Sequence, residues 1–499
     1  MKKHVPAQVL ALTLAFAPIL TLTACAVDAT IDIASDIGYI EVVPPKYDHV
    51  WPFCEGLAHV TLDGKEGFID KTGQEVVPLK YDEVRPFYEG MAAVRIGAEE
   101  TGKYGFIDKT GKEIVPPKYD DVACFSEGLA MVRLGAYVTG TYGFIDQTGK
   151  EIVPLKYGWV GSFSEGLAKV VLGGKDGYID QTGKEVVPLK YDDVGSFCEG
   201  MAMVCVGDNW STRKYGFVDQ TGKEIVPPKY DGANDFSEGL AAVYVREGVN
   251  EKWGFIDKTS QEIVPLKYNK VWSFREGMAQ VLVGSVSTNK VGFIDQTGQE
   301  IVPPKYDGAA WTGYFFEGLA AVKLDDKYGF IDQTGKEIVP PKYVFAENFH
   351  EGMATVCIGD HWETGKWGFI DQTGREIVPP KYDWVYPFSE GLAAVSVGGW
   401  SKRDSHYYGK LGFVDKTGKE VVPVIYDAYD YVLQMPMRIY DNNFSEGFAK
   451  IELKGKCGFV DKNGKVVVPP KYDDAWDFHE GLAAVCLDGQ WGFIAVTAE

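Results

Sequence analysis

Two short motifs in the sequence have the residue types of a serine acyl-enzyme. Lys-Thr-Gly occurs at residues 71–73, 109–111 and 416–418, and Ser-x-x-Lys occurs at 211–214 and 287–290. Penicillin-binding enzymes combine these motifs with Ser-Asp-Asn, and their catalytic serine opens a helix. Ser-Asp-Asn is absent from this sequence, and both serines fall in segments with the pattern of hairpin loops. We therefore predict no acyl-enzyme chemistry.

Metal-binding patterns are also missing. The histidines lack His-Glu-x-x-His spacing, the cysteines lack Cys-x-x-Cys spacing, and the recurring Asp-x-Thr-Gly-x-Glu lacks the acidic spacing of an EF-hand. We expect no metal and no cofactor. One long segment departs from its surroundings by gathering acid, base and aromatic groups, namely Arg403, Asp404, His406, Tyr407 and Tyr408. An enzyme built on this chain would have its acid–base pair there.

A glutamate followed by glycine occurs twelve times, from Glu55 to Glu480. Twelve equivalent copies indicate a structural role rather than twelve catalytic acids. We predict that each carboxylate accepts backbone N–H bonds where a strand begins tightly.

These residues belong to a unit that recurs along the chain, with the glycine of "GFID" returning from Gly67 to Gly492. Each unit contains "EGLAxV", in which Ala and Val share one strand face, then "GFID", then "EIVPPKY". Asp-Gly between the first two elements predicts a type I′ hairpin, and Asp-x-Thr-Gly predicts a type I turn closed by a glycine bulge. The proline predicts that the third element lies at a sheet edge.

The repeated phrase resembles the bacterial WG repeat, most clearly in "KWGFIDKTSQEIVPLKY" (252–268) and "KWGFIDQTGREIVPPKY" (366–382). The resemblance covers residues 38–494, although most units replace the name-giving tryptophan. It implies an all-β repeat protein and carries no established activity, substrate or catalytic residue.

We predict an all-β fold, a tandem array of twelve three-stranded antiparallel meanders with "YDxVxxF" as a connector or short fourth strand. The chain opens with the last two elements of a unit and ends with the first two, so its ends could complete one shared blade. We favour propeller-like blades. Because propellers usually have four to eight blades, two rings divided near residue 268 and an open superhelix are the alternatives.

Seven units lengthen the hairpin loop between the first two elements, and we expect these loops to gather on one rim. Aromatic residues in them could contact a protein or glycan partner, and we select these as ligand-binding candidates: Trp210, Trp362, Trp400, Tyr407 and Tyr408.

The N-terminal sequence predicts where the protein is located in the cell. Residues 1–24 have a basic start and a short apolar run, typical of a secretory signal, and Leu22-Thr23-Ala24-Cys25 resembles a bacterial lipobox. We expect a lipid on Cys25, a tether over residues 25–37 and the repeat region over 38–499. Removing Lys2 and Lys3 with the signal lowers the net charge from −21 to −23, which argues against nucleic-acid binding.

The sequence therefore favours a lipid-anchored scaffold on the extracytoplasmic face of a bacterial cell envelope, binding a protein or glycan and lacking enzymatic activity. The alternatives are a wall-polymer hydrolase or lyase built on the repeats, and a purely structural envelope spacer.

Overall fold

The computed structural model describes residues 38–497 apart from 210, 285–288, 308–312, 402–405 and 431–442, and gives only the backbone of 399–401, 406–408, 429 and 430. The described residues form twelve small antiparallel sheets in one ring, a twelve-bladed β-propeller without helices. The predicted all-β, propeller-like architecture is confirmed. Within the described part of the chain, no helix is long and apolar enough to cross a membrane.

Among the described residues, eleven blades show four strands and blade 11 shows three. The additional strand of the four-stranded blades comes from the connector "YDxVxxF". The first strands are His49–Val50, Glu83–Val84, Asp121–Val122, Trp159–Val160, Asp193–Cys198, Gly232–Ala233, Lys270–Val271, Phe315–Phe316, Phe345–Ala346, Trp384–Val385 and, in blade 12, Asp474–His479. The second strands are Leu57–Leu62, Met91–Ile96, Leu129–Leu134, Leu167–Leu172, Met201–Val206, Leu240–Glu247, Met278–Val283, Leu319–Leu324, Met353–Ile358, Leu392–Ser401, Phe448–Leu453 and Leu482–Leu487.

The third strands carry "GFID" and the fourth carry "EIVPPKY". The third strands are Lys65–Asp70, Lys103–Asp108, Thr141–Asp146, Lys175–Asp180, Lys214–Asp219, Asn250–Asp257, Lys290–Asp295, Lys327–Asp332, Lys366–Asp371, His406–Asp415, Lys456–Asp461 and Gln490–Val496. The fourth strands are Glu75–Tyr81, Glu113–Tyr119, Glu151–Tyr157, Glu185–Tyr191, Glu224–Tyr230, Glu262–Tyr268, Glu300–Asp307, Glu337–Tyr343, Glu376–Tyr382, Glu420–Asp430, Val466–Tyr472 and, in blade 12, Tyr39–Tyr47.

The ring closes because the N-terminal strand completes the last blade. Tyr39–Tyr47 pairs antiparallel with Gln490–Val496, with Tyr39 opposite Val496 and Tyr47 opposite Trp491. The chain ends therefore share one sheet, and the alternatives of an open superhelix and of two rings are wrong. The ring has more blades than the usual four to eight, and it closes because the N-terminal strand supplies the strand that the last blade lacks.

Local chemistry shapes each blade as predicted. Asp63 and Gly64 have φ of 51° and 70°, as a type I′ hairpin requires. At the next turn, Asp70 Oδ1 accepts the N–H groups of Thr72 at 2.8 Å and Gln74 at 3.0 Å. The proline-containing strand lies at the sheet edge.

The recurring glycine of "GFID" has a steric reason. A Cβ on Gly67 would lie 2.4 Å from the Val77 carbonyl oxygen, because the bulged fourth strand crosses directly over this residue. The other eleven equivalent glycines meet the following strand in the same way.

Hydrophobic clusters join consecutive blades, one at each of the twelve junctions. At the closing junction, Ala58 and Val60 of blade 1 pack with Val43 and Phe493 of blade 12, while Phe53 meets Phe493 edge to face at 4.9 Å. The predicted shared face of Ala and Val is thus the face toward the preceding blade.

The antiparallel order gives the ring two faces. The turns between first and second strands and between third and fourth strands lie on one, which we name the glutamate face. The hairpins between second and third strands and the connections between blades lie on the other, which we name the hairpin face.

Candidate functional site

The twelve recurring glutamates form a chain of hydrogen bonds around the glutamate face. Each has φ between 50° and 54° and forms a two-residue turn with its glycine. The Glu55 carboxylate accepts the N–H groups of Glu89 at 2.8 Å and Gly90 at 3.0 Å in the next blade. Such a bond joins eleven of the twelve junctions. The predicted structural role is correct, but the N–H groups belong to the following blade.

A second side chain contacts eleven of the twelve glutamates. The residue after "GFID" is Lys or Gln, and in blades 1 to 11 it contacts the glutamate of the preceding blade. Lys109 Nζ, for example, lies 3.0 Å from Glu55 Oε2. Burial alone would raise the pKa of Glu55, but the Lys109 ammonium and the backbone N–H groups outweigh it and lower the pKa. The same balance lowers the pKa of Glu199 and Glu351, so these carboxylates are engaged in holding consecutive blades together.

On the hairpin face, an aspartate fixes the base of the loop in nine of the twelve blades, whereas blades 4, 7 and 9 have glycine, asparagine and valine at this position. Asp82 Oδ1 lies 2.6 Å from Lys65 Nζ of the preceding blade, and Asp82 Oδ2 accepts the N–H of Gly97 in its own loop at 2.8 Å. The Lys65 ammonium and the Gly97 N–H lower the pKa of Asp82. The bond to the loop N–H recurs in the other eight of these blades, so their loops start from the same anchored position whatever their length.

Trp362 is the one aromatic candidate whose side chain the structure describes. It lies on the hairpin face of blade 9, is 40% exposed, and packs near Phe345 at 6.4 Å and Trp384 at 6.3 Å between ring centroids. Its carbonyl oxygen accepts the Nε1–H of Trp367 at 3.3 Å. Trp362 therefore rests partly on its own hairpin while keeping a surface open to solvent.

The candidates of blade 10 lie in strands rather than in a loop, which corrects the sequence interpretation. Trp400 is opposite Tyr407, and Gly399 is opposite Tyr408, in a hairpin that continues ten residues per strand. The fourth strand also extends to Asp430, so blade 10 carries a three-stranded β arm. Alternating polar residues and glycines concealed this continuation. Cys25, Trp210, Arg403 and Asp404 lie outside the described residues.

Aliphatic residues reach solvent near the same loops. The sixth residue of the second strand is aliphatic in every blade, and it is 40–50% exposed in six of them: Ile96, Leu134, Leu172, Val283, Ile358 and Val397. Equivalent positions place these side chains along one circle on the hairpin face. In the sequence, this exposed aliphatic residue is the last position of the recurring "LAxVxL" motif.

The described residues contain no group of three or more His, Cys, Asp or Glu arranged to hold a metal ion. All seven cysteines in the described part of the chain are free thiols, four of them buried. The structure offers two surfaces for function, the hairpin face and a groove beside the glutamate face where blades 5, 6 and 7 meet.

Comparison with known proteins identifies the repeat. The model of the WG containing repeat family matches most of the chain, at residues 41–65, 67–99, 104–137, 142–175, 177–210, 215–247, 253–285, 292–328, 328–362, 367–399, 412–432 and 458–491. The chain belongs to the WG-containing repeat family. No curated protein matches it.

Solved structures with low similarity to this WG repeat protein include an eukaryotic initiation factor, with 12% identity, 69% of this chain and 96% of that chain covered, and a TM-score of 0.33. The tricorn protease has 13% identity, 90% and 61% coverage, and a TM-score of 0.23. Hsv2 of Kluyvelomyces marxianus has 12% identity, 50% and 92% coverage, and a TM-score of 0.24.

The position that names the WG repeat has a clear packing role in this protein. Trp367 is 2% exposed and lies 4.9 Å from Trp384 of the next blade, measured between ring centroids. Tyr104 at the same position is also buried, and its hydroxyl donates to Glu83 Oε2 at 2.8 Å. Tryptophan is thus one of several residues that can fill the space between consecutive WG blades.

Proposed function

We propose that this WG repeat protein is a lipid-anchored extracytoplasmic scaffold that binds a partner through its hairpin face. The observation that carries the proposal is the contrast between the two faces. Turns on the glutamate face repeat with nearly the same bonds in every blade, whereas hairpin loops differ in length and composition from blade to blade.

The composition of the hairpin face favours a protein partner over a glycan. Exposed Ile96, Leu134 and Ile358 give apolar contacts that a protein surface can cover, and Trp362 gives a large aromatic contact. A glycan would rely on the aromatic residues alone. We therefore assign a protein as the first partner class to test and a glycan as the second.

Binding rather than catalysis is the role proposed for the repeats. The recurring acids accept backbone N–H groups of the following blade, and equivalent acids surround the whole ring. A general acid needs a raised pKa near the working pH and a place in a cleft, whereas the pKa values of Glu55, Glu199 and Glu351 are lowered.

The proposed extracytoplasmic location and lipid anchor are based on Lys2, Lys3, the apolar run that follows and Cys25. A lipoprotein cysteine carries more than one acyl chain, and two chains are enough for stable anchoring. Attachment at Cys25 would leave residues 26–37 between the lipid and the first strand of the ring.

Loop trimming tests the binding role. Residues 397–412 are replaced with the short hairpin of blade 8, whose turn is formed by Asp325 and Asp326. We expect an unchanged fold and weaker binding to whichever member of an envelope-protein and glycan array the natural protein retains. Trimming blades 2, 3, 5, 6, 7 and 9 in the same way gives variants with a smooth hairpin face. Full binding by the variant with all seven loops trimmed would contradict the proposal.

A further inference from the structure

A groove of about 500 Å³ lies where blades 5, 6 and 7 meet, beside the glutamate face. It is lined by Cys198, Met203, Ala233, Asn234, Asp235, Phe236, Ser237 and Ser273. Cys198 directly precedes the Glu199 turn and Ser237 directly precedes the Glu238 turn, so the groove is at the opposite end of the blades from the hairpin loops.

Local sequence differences open this groove. In blade 1, Trp51 occupies the position two residues before the phenylalanine of the "YDxVxxF" connector, and it stacks on His59 with ring centroids 3.8 Å apart. Blade 5 has Gly195 at the equivalent position, where a Cβ would lie 3.4 Å from Met203 Cβ and 3.8 Å from Asp235 Oδ1. The missing side chain leaves the space beside Met203 and Asp235 accessible.

Asp235 is unusual among its equivalents. The same position is uncharged in ten of the twelve blades, and the other carboxylate is Asp477 of blade 12. Within the described residues, the Asp235 carboxylate has no hydrogen-bond or ion-pair partner, in contrast to Asp82 and Asp70. The groove removes part of its hydration, and this burial raises the pKa of Asp235.

The surroundings of the groove are electrostatically negative. Burial raises the pKa of the Cys198 thiol, and the charges of Asp235, Glu199 and Glu165 raise it further, while Lys258 opposes them. Lys258 is itself paired with Glu199 Oε2 at 3.1 Å. A positive charge entering the groove would therefore be attracted, and it would meet Asp235 as a free counter-ion.

We propose that this groove binds a small organic cation, a protonated primary amine, whose ammonium group pairs with Asp235. Met203 and Ala233 provide apolar contact for the carbon chain, and Asn234 and Ser273 provide neutral hydrogen-bonding groups beside the ammonium. A free alkylamine and the lysine side chain of a peptide share this chemistry. The site is separate from the hairpin face and does not depend on the function proposed for that face.

The probe is n-butylammonium, with neutral 1-butanol as its counterpart, titrated into the full-length protein while the Met203 methyl signal is followed by NMR. We expect n-butylammonium to shift that signal to saturation and 1-butanol to leave it in place. Asp235→Asn should weaken binding about tenfold, the equivalent of one charged contact. Ser273→Leu should weaken it by filling the groove, whereas Asp477→Asn, at the equivalent position of blade 12, should have no effect.

A peptide arm separates the two sources of the amine. Nα-acetyl-lysine methylamide and a lysine-containing pentapeptide are compared with n-butylammonium, and tighter binding of the pentapeptide assigns the groove to a lysine of a partner. The inference is overturned if Asp235→Asn binds n-butylammonium as well as the natural protein does, if 1-butanol shifts the Met203 signal equally, or if no amine shifts it at tens of millimolar. Unchanged near-UV circular dichroism verifies that each variant is folded.

Discussion

The carboxylate of Glu480, in the last blade, accepts a hydrogen bond of 3.1 Å from the backbone N–H of Gly56, which precedes it by 424 positions. Lys71 of blade 1 also reaches Glu480 Oε2, at 2.9 Å. The closing junction therefore contains the same bonds as the internal junctions, in addition to the shared sheet of the two chain ends. The junction between blades 12 and 1 is therefore bonded like the internal junctions of the ring.

Equality of the junctions predicts equal costs of breaking them. Glu480→Ala removes the acceptor at the closing junction, and Glu55→Ala removes the equivalent lysine-paired acceptor at an internal one. Both glutamates have φ near 50°, so the backbone effect of alanine is matched. Each variant should lose about 1–2 kcal/mol of unfolding free energy in urea denaturation. A neutral Glu480→Ala beside a destabilising Glu55→Ala would show that the ring is open in solution.

Acid should destabilise the ring. Burial alone would raise the pKa of Glu55, Glu199 and Glu351, but hydrogen bonds from lysine and backbone N–H groups lower it overall. The unfolded chain then binds protons more readily, so the stabilisation is complete above the unfolded pKa of about 4.3 and is lost as pH falls through the lower folded values. The urea midpoint should be steady from about pH 7 to 5 and fall below about pH 4. Glu55→Gln should make this fall shallower, and a midpoint that rises on acidification would contradict the explanation.

The crossing of the fourth strand over Gly67 predicts a strong effect of one methyl group. Gly67→Ala places a Cβ 2.4 Å from the Val77 carbonyl oxygen, so the bulged strand must move, at a cost of at least about 2 kcal/mol. Gly158→Ala is the control, since its Cβ would lie 3.7 Å from the Val171 oxygen, an ordinary contact. Thermal unfolding should separate the two variants clearly, and equal melting temperatures would refute the steric account.

Much of each blade could be predicted from one sequence because the signals are local. Asp63-Gly64 specifies its hairpin by the φ angles it requires, Asp70 specifies the following turn by its hydrogen bonds, and Pro78 places its strand at an edge. Contacts between blades were harder to predict. The carboxylate of Glu55 was expected to bond nearby N–H groups, but a repeated sequence cannot tell whether those groups belong to the same unit or to the next.

Two features escaped sequence reasoning for different reasons. The strands of blade 10 continue to Ser401 and from His406, because backbone pairing can extend a hairpin without a hydrophobic pattern. The groove at Asp235 arises from two separate substitutions, Gly195 and Asp235, that only become neighbours when consecutive blades pack. Aligning the twelve units with one another would have revealed a carboxylate at a position that is uncharged in ten of them.

Exposed residues of the hairpin face should contribute to partner binding. Trp362→Ala removes an aromatic side chain that is 40% exposed, and we expect a loss of about 2 kcal/mol if it lies at the centre of the interface. Tyr88→Ala is the matched variant, because Tyr88 is similarly exposed but adjoins the Glu89 turn on the opposite face. Surface plasmon resonance with the partner retained by the array gives both values. A larger loss for Tyr88→Ala would move the interface to the glutamate face.

The proposed anchor gives a direct chemical prediction. Cys25→Ala should abolish incorporation of a labelled fatty acid and leave the protein unprocessed or released from the membrane fraction. Cys54→Ala, a change of another described free thiol, should leave labelling intact. Labelling that persists in Cys25→Ala would exclude this cysteine as the lipid site.

The N-terminal strand Tyr39–Tyr47 also has a temporal consequence. It is the first part of the ring to leave the ribosome, yet its partner, Gln490–Val496, is the last. Throughout synthesis this strand presents an unpaired edge that another nascent chain could extend. Pro44 and Pro45 lie at its centre, and proline lacks the N–H that such an edge-to-edge pairing needs. The prolines of the fourth strand thereby disfavour pairing of Tyr39–Tyr47 with another chain until Gln490–Val496 has been synthesised.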